Sequence, residues 1–264
     1  LESELGVRLF ERHTRGVDLT AAGELFLERA RAALAAAELA GSTGSDLEGG
    51  VVGTVRVGIA TPTRWRGTAT LLERFARERD AVELTVLEGY GGTLWRDLRD
   101  GRLDAVIAPS SFASHDLRAL ELGSEPWVVL VGRDHRLARA DRVAPQELQG
   151  ERIAVTSHRD GAGHDRMVAS LLGELDVTAA MVRTAPGPAQ YLGLGRGDTI
   201  ALTTAPDAIP AGTVVRPLDP PGTVRFKLLW GDESPSPAVA EFIRIAVESV
   251  DRLSTTRRSL TAVA

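Results

Sequence analysis

At 264 residues, with 43% hydrophobic and 25% charged residues, the chain has room for about two globular domains. The lack of any Cys excludes disulfides, thiolate zinc sites and cysteine nucleophiles, and is compatible with a reducing cytoplasm. A net charge of −5 argues against most of the chain being a nucleic-acid surface. No apolar run approaches the roughly 18 residues that span a bilayer, and the opening LESELG is not a signal peptide.

The chain opens inside a helical pattern, with Leu1, Leu5 and Leu9 at a spacing of four. Arg12, His13, Thr14, Arg15 and Gly16 follow as a basic tip with a turn residue, and Val17 and Leu19 alternate around Asp18 as a short strand. Thr20 suits the N-cap of a long helix, although Gly23 stands where Glu would complete a capping box. Helix end, turn, strand pair and long helix is the order of a winged helix-turn-helix missing its front. Leu9 and Phe10 would anchor such a wing to a small core. Arg12, Thr14, Arg15 and Gly16 are its candidate DNA contacts, because Arg is favoured at phosphates and in narrow minor grooves. A solvated basic loop explains the same residues. Residues 1–41 hold five Arg against seven acids, so this stretch alone is a poor DNA surface.

Residues 20–40 carry nine Ala and read as a long helix. Phe26, Ala30, Ala33, Ala37 and Ala40 form a narrow seam with the coiled-coil period, close enough for a partner backbone and suited to dimerisation. Packing of that face on its own domain is the alternative. Residues 41–50, GSTGSDLEGG, are a flexible linker and a domain boundary.

From Val51 onward strands alternate with helices, which implies mostly parallel sheets with crossovers. Val55, Val57 and Ile59 mark a strand, Leu71, Leu72 and Phe75 a helix, Val82, Leu84 and Val86 a strand, and Leu94 and Leu98 a helix closed by Gly101. Residues 105–108 and 127–131 are buried strands. A second run repeats the content: a strand at 153–156, a helix at 166–175, strands at 181–183 and 200–203, an edge strand at 214–218 and a strand at 226–230. The final helix, 237–253, puts Val239, Phe242, Ile243, Ala246 and Val250 on one face. Two α/β lobes account for this better than one sheet.

The opening string of Leu1, Glu2, Leu5, Gly6, Leu9, Phe10, Arg12, Arg15, Gly16, Leu19, Thr20, Ala22 and Gly23 resembles the L-E-x-x-L-G-x-x-L-F-x-R, R-G and L-T-x-A-G pieces of LysR-type bacterial transcriptional regulators. The resemblance continues through GTVRVGI at Gly53, the run from Glu88 to Ala105, DHRLA at Asp134, GRGDTIAL at Gly195 and the SPAV pattern at Ser236. It implies an N-terminally truncated regulator: a winged remnant at 1–19, a linker and dimerisation helix at 20–40 and a hinge at 41–50. A two-lobed effector domain resembling periplasmic binding proteins would follow, with lobe I at 51–133 and 224–253 and lobe II at 134–223. The family implies operator DNA, a small-molecule effector, a homodimer or homotetramer, and RNA polymerase as partners.

Ligands of open α/β sheets sit at strand carboxyl ends, near free helix N-termini. The candidate effector contacts there are Thr61, Thr63, Arg64, Thr93, Thr156, His158, Thr203 and Thr204. Hydroxyls, amides and a few cations suit a small organic anion, with Arg64 and Arg159 as the motivation. Helix capping and strand ending are the plain alternatives for single threonines. The residues at His158, His164 and Asp165 lack H-E-x-x-H and G-x-S-x-G patterns, so neither a metal site nor a catalytic triad is expected, and no cofactor. Gly193-Leu194-Gly195-Arg196-Gly197 lies after a helix and before a strand, the reverse of a dinucleotide loop. Two rivals remain: a solute-binding transport protein, which predicts no winged segment, and a small α/β enzyme, which predicts clustered acid, base or nucleophile.

Overall fold

The computed structural model describes residues 1–13, 16–23, 26, 30, 51–112, 117–156, 161–185, 193–194, 197–204, 206, 209–231 and 235–261, without the side chains of Arg12 and residues 251–261. At the N-terminus, β1 (Phe10–His13) and β2 (Gly16–Leu19) pair antiparallel, with Phe10 opposite Leu19. The Glu2 carboxylate accepts the N–H groups of Leu9 at 2.6 Å and Phe10 at 3.0 Å, tying the Glu2–Leu5 helical turn to the hairpin. The Thr20 hydroxyl accepts the Gly23 N–H at 2.9 Å, the expected cap, and donates to the Arg8 carbonyl at 2.6 Å. Gly23 answers to packing: a Cβ there would stand 2.0 Å from the Leu9 carbonyl oxygen. Leu9 is buried at 3%, but Phe10 is 42% exposed and does not anchor the hairpin to a core. Residues 21–23, 26 and 30 are helical; Ala33, Ala37, Ala40 and the linker at 41–50 lie outside the described residues.

The first lobe is a five-stranded sheet. β3 (Gly53–Ala60) lies parallel to β4 (Val82–Gly89) and to β5 (Ala105–Pro109). β12 (Thr223–Gly231) runs antiparallel to β5 and to β6 (Leu117–Pro126), so the order is β4-β3-β5-β12-β6. The sheets are therefore mixed, not mostly parallel, because β12 re-enters from the second lobe against the direction of β5. Period-two alternation divides the sheet between two layers. Ala105 and Ile107 face a core shared with Leu71, Phe75 and Phe242, while Val106 and Ala108 face Leu94 and Leu98. The Phe75 and Phe242 rings meet edge-on at 5.1 Å, joining the Thr68–Glu78 and Pro237–Thr261 helices. The same helices are riveted by charge. Arg74, 7% exposed, donates to Glu78 at 2.7 Å, to the Ser249 hydroxyl at 3.0 Å and to Glu248, while Arg79 and Arg244 converge on Glu241.

In the second lobe, β7 (Val128–Gly132) is central, antiparallel to both β10 (Ala201–Thr203) and β11 (Thr213–Pro217). Counted with the first lobe in the sequence reading, β7 in fact pairs with strands of the second. β11 is an edge strand, as Pro217 predicts. β8 (Arg152–Thr156) pairs parallel with β9 (Ala180–Thr184), and a bridge from Ile153 to Ile200 ties that pair to β10. The Ala162–Glu174 helix packs on β8 through Val168, Leu171 and Leu172. Two adjacent connections join the lobes. Pro126 pairs with Thr223 on one side, Val128 with Pro217 on the other, and between them the Trp127 N–H donates to the Gly222 carbonyl at 2.9 Å.

Candidate functional site: the seam between the lobes

The end of β10 brings Thr203 and Thr204 against the loop that follows β3. The Thr203 hydroxyl donates to the Pro62 carbonyl at 3.0 Å. The Thr204 hydroxyl donates to the Arg64 carbonyl at 2.8 Å and accepts the Arg64 N–H at 2.8 Å. Both threonines are nearly sealed from water, at 2% and 1% exposure. Their hydroxyls thus hold the other lobe's backbone. On the first-lobe side, the Thr61 N–H donates to the Gly89 carbonyl at 3.0 Å, Thr63 is buried, and the Arg64 guanidinium pairs with Glu88.

A second bridge lies beside the first. Thr156, at the end of β8, places its hydroxyl 3.4 Å from the Tyr90 phenol oxygen. Tyr90 precedes the Gly91–Arg99 helix, and the Thr93 N–H donates back to the Tyr90 carbonyl at 3.0 Å. Phe112 sits between the starts of two helices from opposite lobes. A Cβ on Gly91 or on Gly163 would come within 2.1 Å of its ring. Two glycines are what permit that wedge.

His164 lies just inside the seam, 3% exposed, with its Nε2 at 3.1 Å from the Leu202 carbonyl and its ring 6.2 Å from that of Trp127. Burial pushes the imidazole below its usual range, against the opposing pulls of the Leu202 carbonyl and the Asp165 charge. It is a neutral, packed histidine. Among the described residues no group of three or more His, Asp or Glu side chains could hold a metal ion.

The structure thus draws Thr61, Thr63, Arg64, Thr203 and Thr204 together, and sets Thr156 and Thr93 beside Tyr90. His158 and Arg159 lie outside the described residues, as do Thr14 and Arg15 of the hairpin; Gly16 pairs with His13 at its tip. The sequence reading missed Phe112 and Arg183, and it considered Asp165 only for a metal or triad that it set aside. The signal for Phe112 was the glycine pattern at 91 and 163, which announces large side chains packed close to backbone.

The family description "LysR substrate binding domain" matches residues 48–251, and "Bacterial regulatory helix-turn-helix protein, lysR family" matches residues 1–24. The HTH-type transcriptional regulator ShiR of Corynebacterium glutamicum (strain R) is 31% identical over 233 residues, covering 86% of this chain and 75% of ShiR. The effector binding domain of QuiR in complex with shikimate superposes with a TM-score of 0.66 at 18% identity, covering 76% of this chain and 98% of QuiR's. A full-length OxyR variant from Pseudomonas aeruginosa gives 0.66 at 23% identity, covering 94% of this chain and 82% of OxyR's. At these identities the two structures show the fold. The chain belongs to the LysR family of bacterial transcriptional regulators. The match of residues 1–24 to a helix-turn-helix sets aside the transport-protein rival, which required no winged segment. Among the described residues no helix is long and apolar enough to cross a membrane.

Proposed function

We propose that this chain senses a small organic anion in the seam between its lobes and converts occupancy into altered operator binding in the cytoplasm, without catalysing a reaction. The carrying observation is the paired threonine contact: Thr203 and Thr204 of one lobe hold Pro62 and Arg64 of the other through buried hydroxyls. A ligand that takes over any of these groups favours a different lobe arrangement, and differential affinity for the two arrangements is all that a population shift requires. The lobes divide at the Trp127–Gly222 crossing, giving 51–126 with 223–253, and 128–221. Two copies pair through the Ala-rich stretch at 20–40 into a homodimer, or a homotetramer, whose hairpins flank operator DNA, with RNA polymerase as a further partner. A solved complex of CbnR with its target DNA supports the DNA role by kinship of fold. The QuiR–shikimate complex supports a carboxylate as the first ligand to try.

The test is calorimetry with a panel of small carboxylates, shikimate included, and their neutral amides, alongside operator binding with and without each compound. Anions are expected to bind and shift operator affinity. A clear preference for the neutral forms would reject an anionic effector.

A further inference from the structure

The seam contains a carboxylate that its own fold satisfies only by half. Asp165 stands in the first turn of the Ala162–Glu174 helix and is 7% exposed. Its Oδ2 accepts a hydrogen bond from Arg183 Nη1 at 3.1 Å, and the same nitrogen donates to the Thr156 carbonyl at 3.0 Å. Its Oδ1 is buried and has no hydrogen-bond partner among the described residues. A buried carboxylate oxygen without a donor carries an uncompensated desolvation cost, which folded proteins keep where something else supplies the donor.

The position says what that donor is. Thr156 ends β8, Arg183 lies opposite Val155 on parallel β9, and the Ala162–Glu174 helix starts above them. This is the strand-end, helix-start corner where open α/β sheets take ligands. The first lobe reaches the same corner, since the Tyr90 phenol faces Thr156 and its ring lies against Gly161. Arg183 is 64% exposed, so its guanidinium extends outward beyond Asp165. An acceptor inside and a cation outside match a ligand with a hydroxyl on one side and a carboxylate on the other.

Resting on the effector reading above, we propose that Asp165 and Arg183 select a hydroxy-carboxylate: the hydroxyl donates to Asp165 Oδ1 and the carboxylate lies on the Arg183 guanidinium. A simple carboxylate meets the Asp165 charge with nothing to donate, and a neutral polyol lacks the charge that pairs with Arg183. Because Oδ1 is buried, a neighbouring group must move for the hydroxyl to reach it.

The test uses the whole chain in calorimetry with three probes: shikimate, cyclohex-1-ene-1-carboxylate, which lacks the hydroxyls, and methyl shikimate, which lacks the charge. Wild type is expected to bind shikimate at least roughly tenfold more tightly than the hydroxyl-free acid, the equivalent of one good hydrogen bond. Asp165→Ala should bring that ratio near one while holding or improving the hydroxyl-free acid. Arg183→Gln should weaken both acids by more than it weakens methyl shikimate. Should Asp165→Ala not fold, Asp165→Asn carries the test. It keeps an acceptor without the charge, so the hydroxyl-free acid should improve while shikimate is retained. An undiminished shikimate preference in Asp165→Ala, or equal wild-type binding of the two acids, would overturn the selection by Asp165 and leave the anionic effector standing. Binding of neither acid would remove both.

Discussion

Thr204→Val is the sharpest probe of the seam. Valine keeps the shape of threonine and replaces the hydroxyl with a methyl, so the change removes hydrogen bonds without opening a cavity. Thr204 is 1% exposed and makes two bonds of 2.8 Å to the Arg64 backbone, one accepted and one donated. Losing a buried partner costs about 1–3 kcal/mol for each group left unsatisfied. Allowing for partial relaxation, about 2–3 kcal/mol is expected in total, and at ~2–4 °C per kcal/mol for a domain near this size the melting temperature should fall by roughly 5–10 °C. Global melting alone does not locate the loss, because two lobes need not unfold together. Amide exchange does: the Arg64 N–H is held by the Thr204 hydroxyl, and its protection should drop by about 10- to 100-fold as parting becomes easier. Thr204→Ser keeps the hydroxyl and should retain most of that protection. A Thr204→Val protein with the wild-type melting temperature and wild-type exchange at Arg64 would refute the latch in solution.

Other consequences follow from the same contacts. Gly163→Ala drives a Cβ to 2.1 Å from the Phe112 ring and should cost about 1–3 kcal/mol. Phe112→Ala in that background should recover part of it, and strictly additive urea midpoints would deny the wedge. His164 resists protonation in the folded chain relative to its ordinary value of 6.5. Above that pH both states are neutral; below it the unfolded chain takes up a proton that the folded chain refuses, so stability falls as pH drops from 6.5 toward the folded value. Urea midpoints across that window should slope in wild type and lose part of the slope in His164→Gln. Hydrogen bonds from Arg244 first, then Arg79, hold Glu241 below its ordinary 4.5, and Arg74 does the same for Glu248. Their stabilisation is present above 4.5 and lost as pH falls below it. Arg244→Gln should therefore flatten the acid limb of the stability profile, and an unchanged limb would exclude this network as its source. Thr20→Ala removes the cap on Gly23 and should cost about 1 kcal/mol, visible as lost helicity by circular dichroism.

Local periodicity made much of the body readable. Alternating Val55, Val57 and Ile59 and the all-buried Ala105–Pro109 run announce strands because burial imposes their pattern. β6 did not announce itself: LRALELGSEP is an edge strand with mixed exposure, so no clean alternation survives. β7 was recognisable as a strand but not as a member of the second lobe, since a wholly apolar run does not say which sheet it joins. Gly23 looked like a damaged capping box because its constraint, the Leu9 carbonyl, is fourteen positions away and enters only through packing. Thr203 and Thr204 were legible as polar strand-end residues; that their hydroxyls grasp Pro62 and Arg64 depends on contacts about 140 positions apart in the chain. Asp165 was weighed only for a metal or triad and not as a ligand acceptor, because an acid in a first helical turn is ordinarily explained by the helix dipole alone.

The paired crossing at Trp127 and Gly222 is also where the lobes are joined. Two neighbouring antiparallel strands form a twisted two-stranded ribbon, narrow where the Trp127–Gly222 hydrogen bond spans it. Gly222 has no room for a side chain, since a Cβ would stand 2.7 Å from Leu171 and 3.2 Å from Trp127. That filled pivot keeps the two connections packed against Leu171 and Trp127 at the point where the lobes meet.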